Sequence, residues 1–176
     1  MPRAAFLDRD GVINRKAPEG QYITRWEDVE FLPRVAEAIA LLNQARFSVI
    51  IVSNQRCVAK RLLTMGDLEL IHRRMIKHLA ASHAYIRAIY YCPHDTTLVC
   101  TCRKPAPGML FQAAREHLID LPNSWMVGDS DIDVQAGRNA GCKTVRILRS
   151  DVIPEIEPDL SVDSLFEAVQ KLIQLR

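Results

Sequence analysis

The chain has 176 residues, 48% of them hydrophobic and 25% charged, the composition of a folded globular protein with room for a substantial core. Its 23 basic and 21 acidic side chains leave a formal charge of +2, which excludes an electrostatic surface on the scale of a nucleic-acid binder. No apolar run approaches the roughly 20 residues of a membrane span, and MPRAAFLDRDG holds no apolar stretch of signal-peptide length, so a cytoplasmic protein is expected, with neither membrane nor nucleic acid as partner.

The first predicted strand, Ala4–Leu7, runs into Asp8, Arg9, Asp10 and Gly11. Side chains in a strand alternate with period two, so Asp8 and Asp10 face the same way. Carboxylates so close repel unless a cation separates them, and a hard ion such as Mg²⁺ suits them; the ordinary alternative is a strand that ends in a charged turn. Pro33 is placed to open a helix with Val35, Ile39 and Leu42 on one face. Phe47–Val52 reads as the second strand, and Ser53, Asn54 and Gln55 follow it. Thr64 with Asp67 three residues on is a helix-start signature ahead of Leu68, Ile71, Met75 and Leu79.

Ile86–Tyr91 is the third predicted strand and leads into Cys92, Pro93 and His94. Pro107 starts a helix carrying Leu110, Ala113, Ala114 and Leu118. Trp125–Val127 precedes Gly128 and Asp129, Lys143–Ile147 makes a fifth strand, and a last helix holds Leu165, Val169, Leu172 and Ile173. Residues 15–32 and 95–107 are the least regular, and residues 150–161, rich in proline and acids, read as a surface connection.

Strands alternating with helices predict an α/β fold, a doubly wound parallel sheet, here as one domain over residues 1–176 without a large cap. In such folds ligands bind beyond the carboxyl ends of the strands. Asp8, Ser53-Asn54-Gln55, Cys92-Pro93-His94 and Gly128-Asp129 each follow a strand, so every polar cluster that looks chemical falls on that edge. Asp129 is placed to join Asp8 and Asp10 in a three-acid Mg²⁺ site, with Asp133 holding the loop or capping the next helix. Ser53 offers a hydroxyl, and Lys104, between Arg103 and two stiffening prolines, offers a held cation for a phosphoryl oxygen.

FLDRDG, VSN, the lysine of RKP and GDSDID, in that order over residues 3–141, resemble the four motifs of the haloacid dehalogenase (HAD) superfamily of phosphotransferases. The resemblance implies that Asp8 attacks phosphorus to give an aspartyl-phosphate, and that Asp10 protonates the leaving oxygen and then activates water. It implies that Ser53 and Lys104 hold the phosphoryl group, and that Asp8, Asp129 and the Asp10 backbone carbonyl bind Mg²⁺. A neighbouring anion is expected to favour the acid form of Asp10.

Cys92, His94, Cys100 and Cys102 read C-x-H-x5-C-x-C, a set that can close a tetrahedral structural Zn²⁺ site and pin the loop 92–104. The neutral alternative makes His94 an ordinary polar loop residue. With this loop, the chain resembles the HAD branch that takes in heptose-bisphosphate and histidinol-phosphate phosphatases, and HRRM at 72–75 and IYYCPH favour the heptose side. That implies a small phosphorylated metabolite as partner, a heptose 1,7-bisphosphate losing its 7-phosphate on the way to lipopolysaccharide or other surface glycans. Asn54, Gln55, Arg103 and Lys104 would contact it, with the loop 16–19 nearby.

The chain departs from the branch after Gln55, where Arg56, Cys57, Val58, Ala59, Lys60 and Arg61 replace a glycine-containing turn, and at Ser130, where a longer cation is usual. The added Arg56 and Arg61 are expected to alter the charge offered to the second phosphate. A monomer is expected. The competing readings are histidinol phosphate or another small phosphomonoester as substrate, and a zinc-stabilised binding module without catalysis.

Overall fold

The structure is a computed structural model that describes residues 1–148, 153 and 155–175. Six strands form one all-parallel sheet: β1 (Ala4–Leu7), β2 (Ser48–Asn54), β3 (Ala88–Cys92), β4 (Trp125–Gly128), β5 (Lys143–Ile147) and β6 (Leu160–Val162). Their spatial order is β3-β2-β1-β4-β5-β6. The chain therefore winds outward from β1 in one direction, returns, and winds outward in the other. The reversal places a crevice between the ends of β1 and β4, where such folds bind ligands.

Five helices cover the sheet: α1 (Val35–Gln44), α2 (Met65–Ala80), α3 (Gly108–His117), α4 (Asp131–Ala140) and α5 (Leu165–Gln174). The period-two alternation of β1 shows how both faces are used. Ala5 and Leu7 pack with Ile39 and Leu42 of α1, Met75 and Leu79 of α2, and Val169 and Leu172 of α5. Ala4 and Phe6 pack on the opposite face with Met109, Leu110 and Ala113 of α3 and Ala140 of α4. Each residue of β1 is thus buried, which is why this strand reads as an apolar run instead of an alternating pattern.

Local chemistry sets the helix starts. The Thr64 hydroxyl accepts from the Asp67 amide at 3.1 Å and the Asp67 carboxylate accepts from the Thr64 amide at 3.0 Å, the reciprocal cap that the sequence signals. Ser164 caps α5 by accepting from Glu167 N at 3.2 Å. Pro33 does not start α1: Arg34 takes a left-handed φ of 60° and the helix begins at Val35. β6 was not expected; it adds three residues to the sheet edge, with Arg146 paired to Ser161. Part of the connection expected over residues 150–161 lies outside the described residues.

Residues 15–32 carry a single 3₁₀ turn at Trp26–Asp28, and Asn14 forms an isolated bridge with Phe31. Among the described residues this excursion and the loop after β3 add no strand to the sheet.

Candidate active site

The crevice holds a cavity of about 330 Å³ whose lining includes Asp8, Asp10, Ser53, Lys104, Asp129 and Asp133. The ends of three parallel strands (β1, β2 and β4), the loop before α3 and the first turn of α4 supply these groups. The loop 16–23 forms one wall, including the residues 16–19 that the sequence placed near the substrate.

Asp8 leaves β1 with its amide donating to Val127 O at 3.0 Å, which ties it to β4. Its Oδ1 accepts from Lys104 Nζ at 2.8 Å. The same ammonium donates to Val52 O at 2.8 Å and pairs with Asp133 Oδ1 at 2.6 Å. Lys104 is 3% exposed. Burial alone would lower its pKa, but Asp133 and Asp8 outweigh that and hold it above the ordinary lysine value. Burial, opposed by Lys104 and reinforced by Asp133 and Asp10, pushes the Asp8 carboxyl up to about 7.

Asn54 positions the cation from behind. Its side-chain amide donates to Lys104 O at 3.0 Å and its carbonyl accepts from Lys104 N at 3.0 Å. Asn54 was expected to meet substrate; here both ends of its amide serve the Lys104 backbone, although it still borders the cavity.

Asp133 does two jobs. Its Oδ2 accepts from the Ser130 amide at 3.2 Å and from the Ser130 hydroxyl, the cap on α4 that the sequence allowed, while Oδ1 faces Lys104. The carboxylate reaches inward because Gly128 lets α4 approach: a Cβ there would lie 2.1 Å from Asp133 Cβ. Asp8, Asp129 and Asp133 bring carboxylate oxygens within 4.8 Å of one another. Three buried acids gather where one buried ammonium pairs with two of them, and hard oxygen donors with surplus negative charge fit Mg²⁺. Lys16 Nζ, 3.8 Å from Asp129 Oδ2, is 60% exposed and screened, so it offsets little of that charge.

The side chain of Asp10 lies apart from those three. Arg9 Nη2 donates to its Oδ2 at 2.8 Å and Nε to Oδ1 at 3.1 Å. Asn14 donates to Oδ1 at 2.9 Å and Gln55 to Oδ2 at 3.0 Å. The turn that allows this has Gly11 at φ 98°, with Gly11 N donating to Asn14 O at 2.7 Å. Burial raises the Asp10 pKa, but the Arg9 charge and the hydrogen bonds from Asn14, Gln55 and Arg9 outweigh it and the net direction is downward. Where a neighbouring anion was expected to favour the acid form of Asp10, the buried Arg9, which sequence reading passed over, stabilises its carboxylate.

Arg9 also meets α2. Its Nη1 lies 3.2 Å from His72 Nε2. Arginine can only donate, so Nε2 accepts and the imidazole proton sits on Nδ1. Burial and then the Arg9 charge push the His72 pKa down to about 3, consistent with a neutral ring. Gln55 completes the floor by donating to Ser53 Oγ at 2.8 Å, which leaves the serine hydroxyl proton available to the cavity.

On the loop after β3, Cys102 Sγ lies 3.0 Å from Cys92 Sγ and 3.6 Å from Cys100 Sγ, with His94 Nδ1 at 3.2 Å. Sulfurs at about 2.3 Å from a tetrahedral zinc would be about 3.8 Å apart, so the four ligands converge closely enough to fit one ion. Arg103 donates to His94 O at 3.2 Å, joining this cluster to the cavity rim. Arg56 pairs with Asp95 at 2.7 Å, which ties its side chain to this loop.

A HAD-hydrolase-like family profile matches residues 101–168. A D-glycero-D-manno-heptose-1,7-bisphosphate 7-phosphatase from Thermosynechococcus vestitus is 37% identical over 97% of this chain and 95% of its own. The D-glycero-beta-D-manno-heptose-1,7-bisphosphate 7-phosphatase of Pseudomonas aeruginosa is 36% identical over 96% and 97%. The crystal structure of the D,D-heptose 1,7-bisphosphate phosphatase from B. bronchiseptica, complexed with magnesium and phosphate, superposes with a TM-score of 0.88 at 32% identity, covering 99% of both chains.

Proposed function

The chain belongs to the HAD-like family of heptose-bisphosphate phosphatases, and from that premise we propose that it hydrolyses the 7-phosphate of a D-glycero-D-manno-heptose 1,7-bisphosphate, giving inorganic phosphate and the heptose 1-phosphate. The observation that carries the reading is the buried Lys104 ammonium, held 2.8 Å from Asp8 Oδ1 at the floor of an open cavity. That pairing keeps a carboxylate nucleophile beside the charge its phosphate target needs.

Asp8 Oδ attacks phosphorus as the bond to the sugar oxygen breaks, and Asp10 delivers a proton to that oxygen. The arriving phosphate is the anion that raises the proton affinity of Asp10 above its ligand-free value. Asp10, left as a carboxylate, then takes a proton from water as the water oxygen attacks the aspartyl-phosphate and the Asp8–phosphorus bond breaks. Lys104 and the Ser53 hydroxyl donate to the phosphoryl oxygens through both steps. Asp8, Asp129, the backbone carbonyl of Asp10 and Asp133, directly or through water, are the groups that would hold Mg²⁺. When bound, that ion supplies Lewis-acid stabilisation of phosphoryl oxygens and offsets carboxylate–phosphate repulsion.

Gln55, Arg103 and the loop 16–19 line the cavity and are the groups available to the sugar. Cys92, His94, Cys100 and Cys102 are the groups that would hold a structural Zn²⁺, which would fix the loop carrying Arg103 and Lys104. The five free cysteines support a reducing, cytoplasmic setting, and no helix among the described residues is long and apolar enough to cross a membrane. The side chains of the site gather at the ends of one sheet, which supports a single domain.

The test is a substrate panel with Mg²⁺, scored by kcat/KM. Heptose 1,7-bisphosphate should be preferred at least about tenfold over histidinol phosphate, a gap of about 1.4 kcal/mol in transition-state binding. The reverse order would make histidinol phosphate the substrate, and no turnover of any phosphomonoester would leave a binding module.

A further inference from the structure

One buried charge has no part in the chemistry above. Arg9 is 1% exposed, and a guanidinium so far from water is destabilising unless its donors are matched. Two of its nitrogens grip Asp10, and the third reaches Nε2 of His72 at 3.2 Å. His72 is 5% exposed in the middle of α2, with the Tyr91 ring 5.5 Å away at a tilt of 58°. The backbone of Arg9 is fixed at the end of β1, between the proposed nucleophile and the proposed acid/base. Its far end is fixed by an element otherwise remote from the site.

We propose that Arg9 and His72 are positioning residues for Asp10: the neutral His72 imidazole, docked by α2, sets the plane of the Arg9 guanidinium, and the guanidinium fork sets the Asp10 carboxylate at the cavity edge. The fork is what a lysine cannot supply, because an ammonium is a point charge without a plane. A carboxylate that must meet first a sugar oxygen and then a water needs this restraint, since displacement by about 1 Å can cost on the order of a hundredfold in rate. Gln55 and Asn14 restrain Asp10 from the other sides, so removing His72 should loosen the group without releasing it. The inference rests on the reading of Asp10 as the acid/base group.

The experiment compares His72→Leu, His72→Gln and Arg9→Lys on heptose 1,7-bisphosphate with Mg²⁺, with Asp10→Asn in parallel and thermal melts of each. Gln places an acceptor close to the position of Nε2, whereas Leu has none. The expected result is a fall in kcat of about 10- to 100-fold for His72→Leu and Arg9→Lys with KM within about twofold, and recovery to within about threefold in His72→Gln. If the leucine variant does not fold, Arg9→Lys against His72→Gln carries the same comparison. Equal kcat in His72→Leu and the parent overturns the proposal, as does an equal loss in folded leucine and glutamine variants, which would make His72 a packing residue. Full turnover by Asp10→Asn would overturn the acid/base reading itself; an inactive Asp10→Asn beside a fully active His72→Leu would overturn only this inference.

Discussion

The Lys104 ammonium stands 2.8 Å from Asp8 and 2.6 Å from Asp133, so one cation buried at 3% exposure serves two acids, one at the end of β1 and one in the first turn of α4. Removing any member of that trio changes charge in a place where water cannot compensate.

Asp8→Asn keeps an acceptor for Lys104 and nearly the same volume, yet has no nucleophilic oxygen anion. Phosphate release from every phosphomonoester should fall by at least about a thousandfold while the melting temperature stays close to the parent's. Near-normal turnover would show that the nucleophile lies elsewhere.

Lys104→Met leaves Asp8 and Asp133 facing each other without their cation. In metal-free protein the loss should be about 3 kcal/mol, the order found when one partner of a buried ion pair is removed. Urea unfolding with and without Mg²⁺ checks this: added Mg²⁺ should recover part of the stability but none of the activity. A variant as stable as the parent in the absence of metal would contradict it.

Gly128→Ala places a methyl group 2.1 Å from Asp133 Cβ, and a Cβ is not the flexible end of a side chain. The helix start must shift and carry the Asp133 carboxylate away from Lys104. We expect a loss of about 1–3 kcal/mol together with a fall in kcat. An alanine variant with parental melting temperature and turnover would mean the helix moves freely there.

Stability should decline with acid partly through His72. Burial and Arg9 depress its folded pKa to about 3 from 6.5, so the unfolded chain takes up the proton first. The contribution is fully present above about pH 6.5 and is lost progressively as pH falls towards 3. Chemical denaturation across that range should show a shallower decline for His72→Gln than for the parent; identical slopes would place a charged ring in the folded protein.

Chelation should separate the two proposed metals. Removing Mg²⁺ should stop turnover and leave the fold. Stripping Zn²⁺ with a stronger chelator should lower the melting temperature by at least about 5 °C, because binding of a structural ion is folding free energy. Metal analysis of untreated protein giving less than about half an equivalent of zinc would remove the basis for the second effect.

Much of this was readable from the chain because the site lies on strand ends. Asp8, Ser53 and Asp129 close apolar runs, and a parallel sheet forces such positions to one edge, while Lys104 was legible from Arg103 before it and the two prolines after it. The capping pair Thr64 and Asp67 was equally legible, being local. What escaped was set by packing at long range. Arg9 reads as an ordinary surface arginine until α2 is placed over it, and His72 shares a helix face with Leu68, Met75 and Leu79 that looks purely apolar in purpose. Asn54 has the chemistry of a ligand contact, and only the fold reveals that its amide is matched to the Lys104 backbone. β6 is three residues beside prolines and acids, too short for any periodicity to register.

The placement of β1 between β2 and β4 has a consequence for biosynthesis. As the chain leaves the ribosome, β1 can pair with β2 early, but its other edge waits for Trp125–Gly128. Through that interval the nascent protein presents an open ladder of unpaired amides beside its most apolar strands, a template for pairing between chains. β4 closes the edge and brings Asp129 in the same movement, so the exposure ends only as the last acids of the cavity, Asp129 and Asp133, arrive.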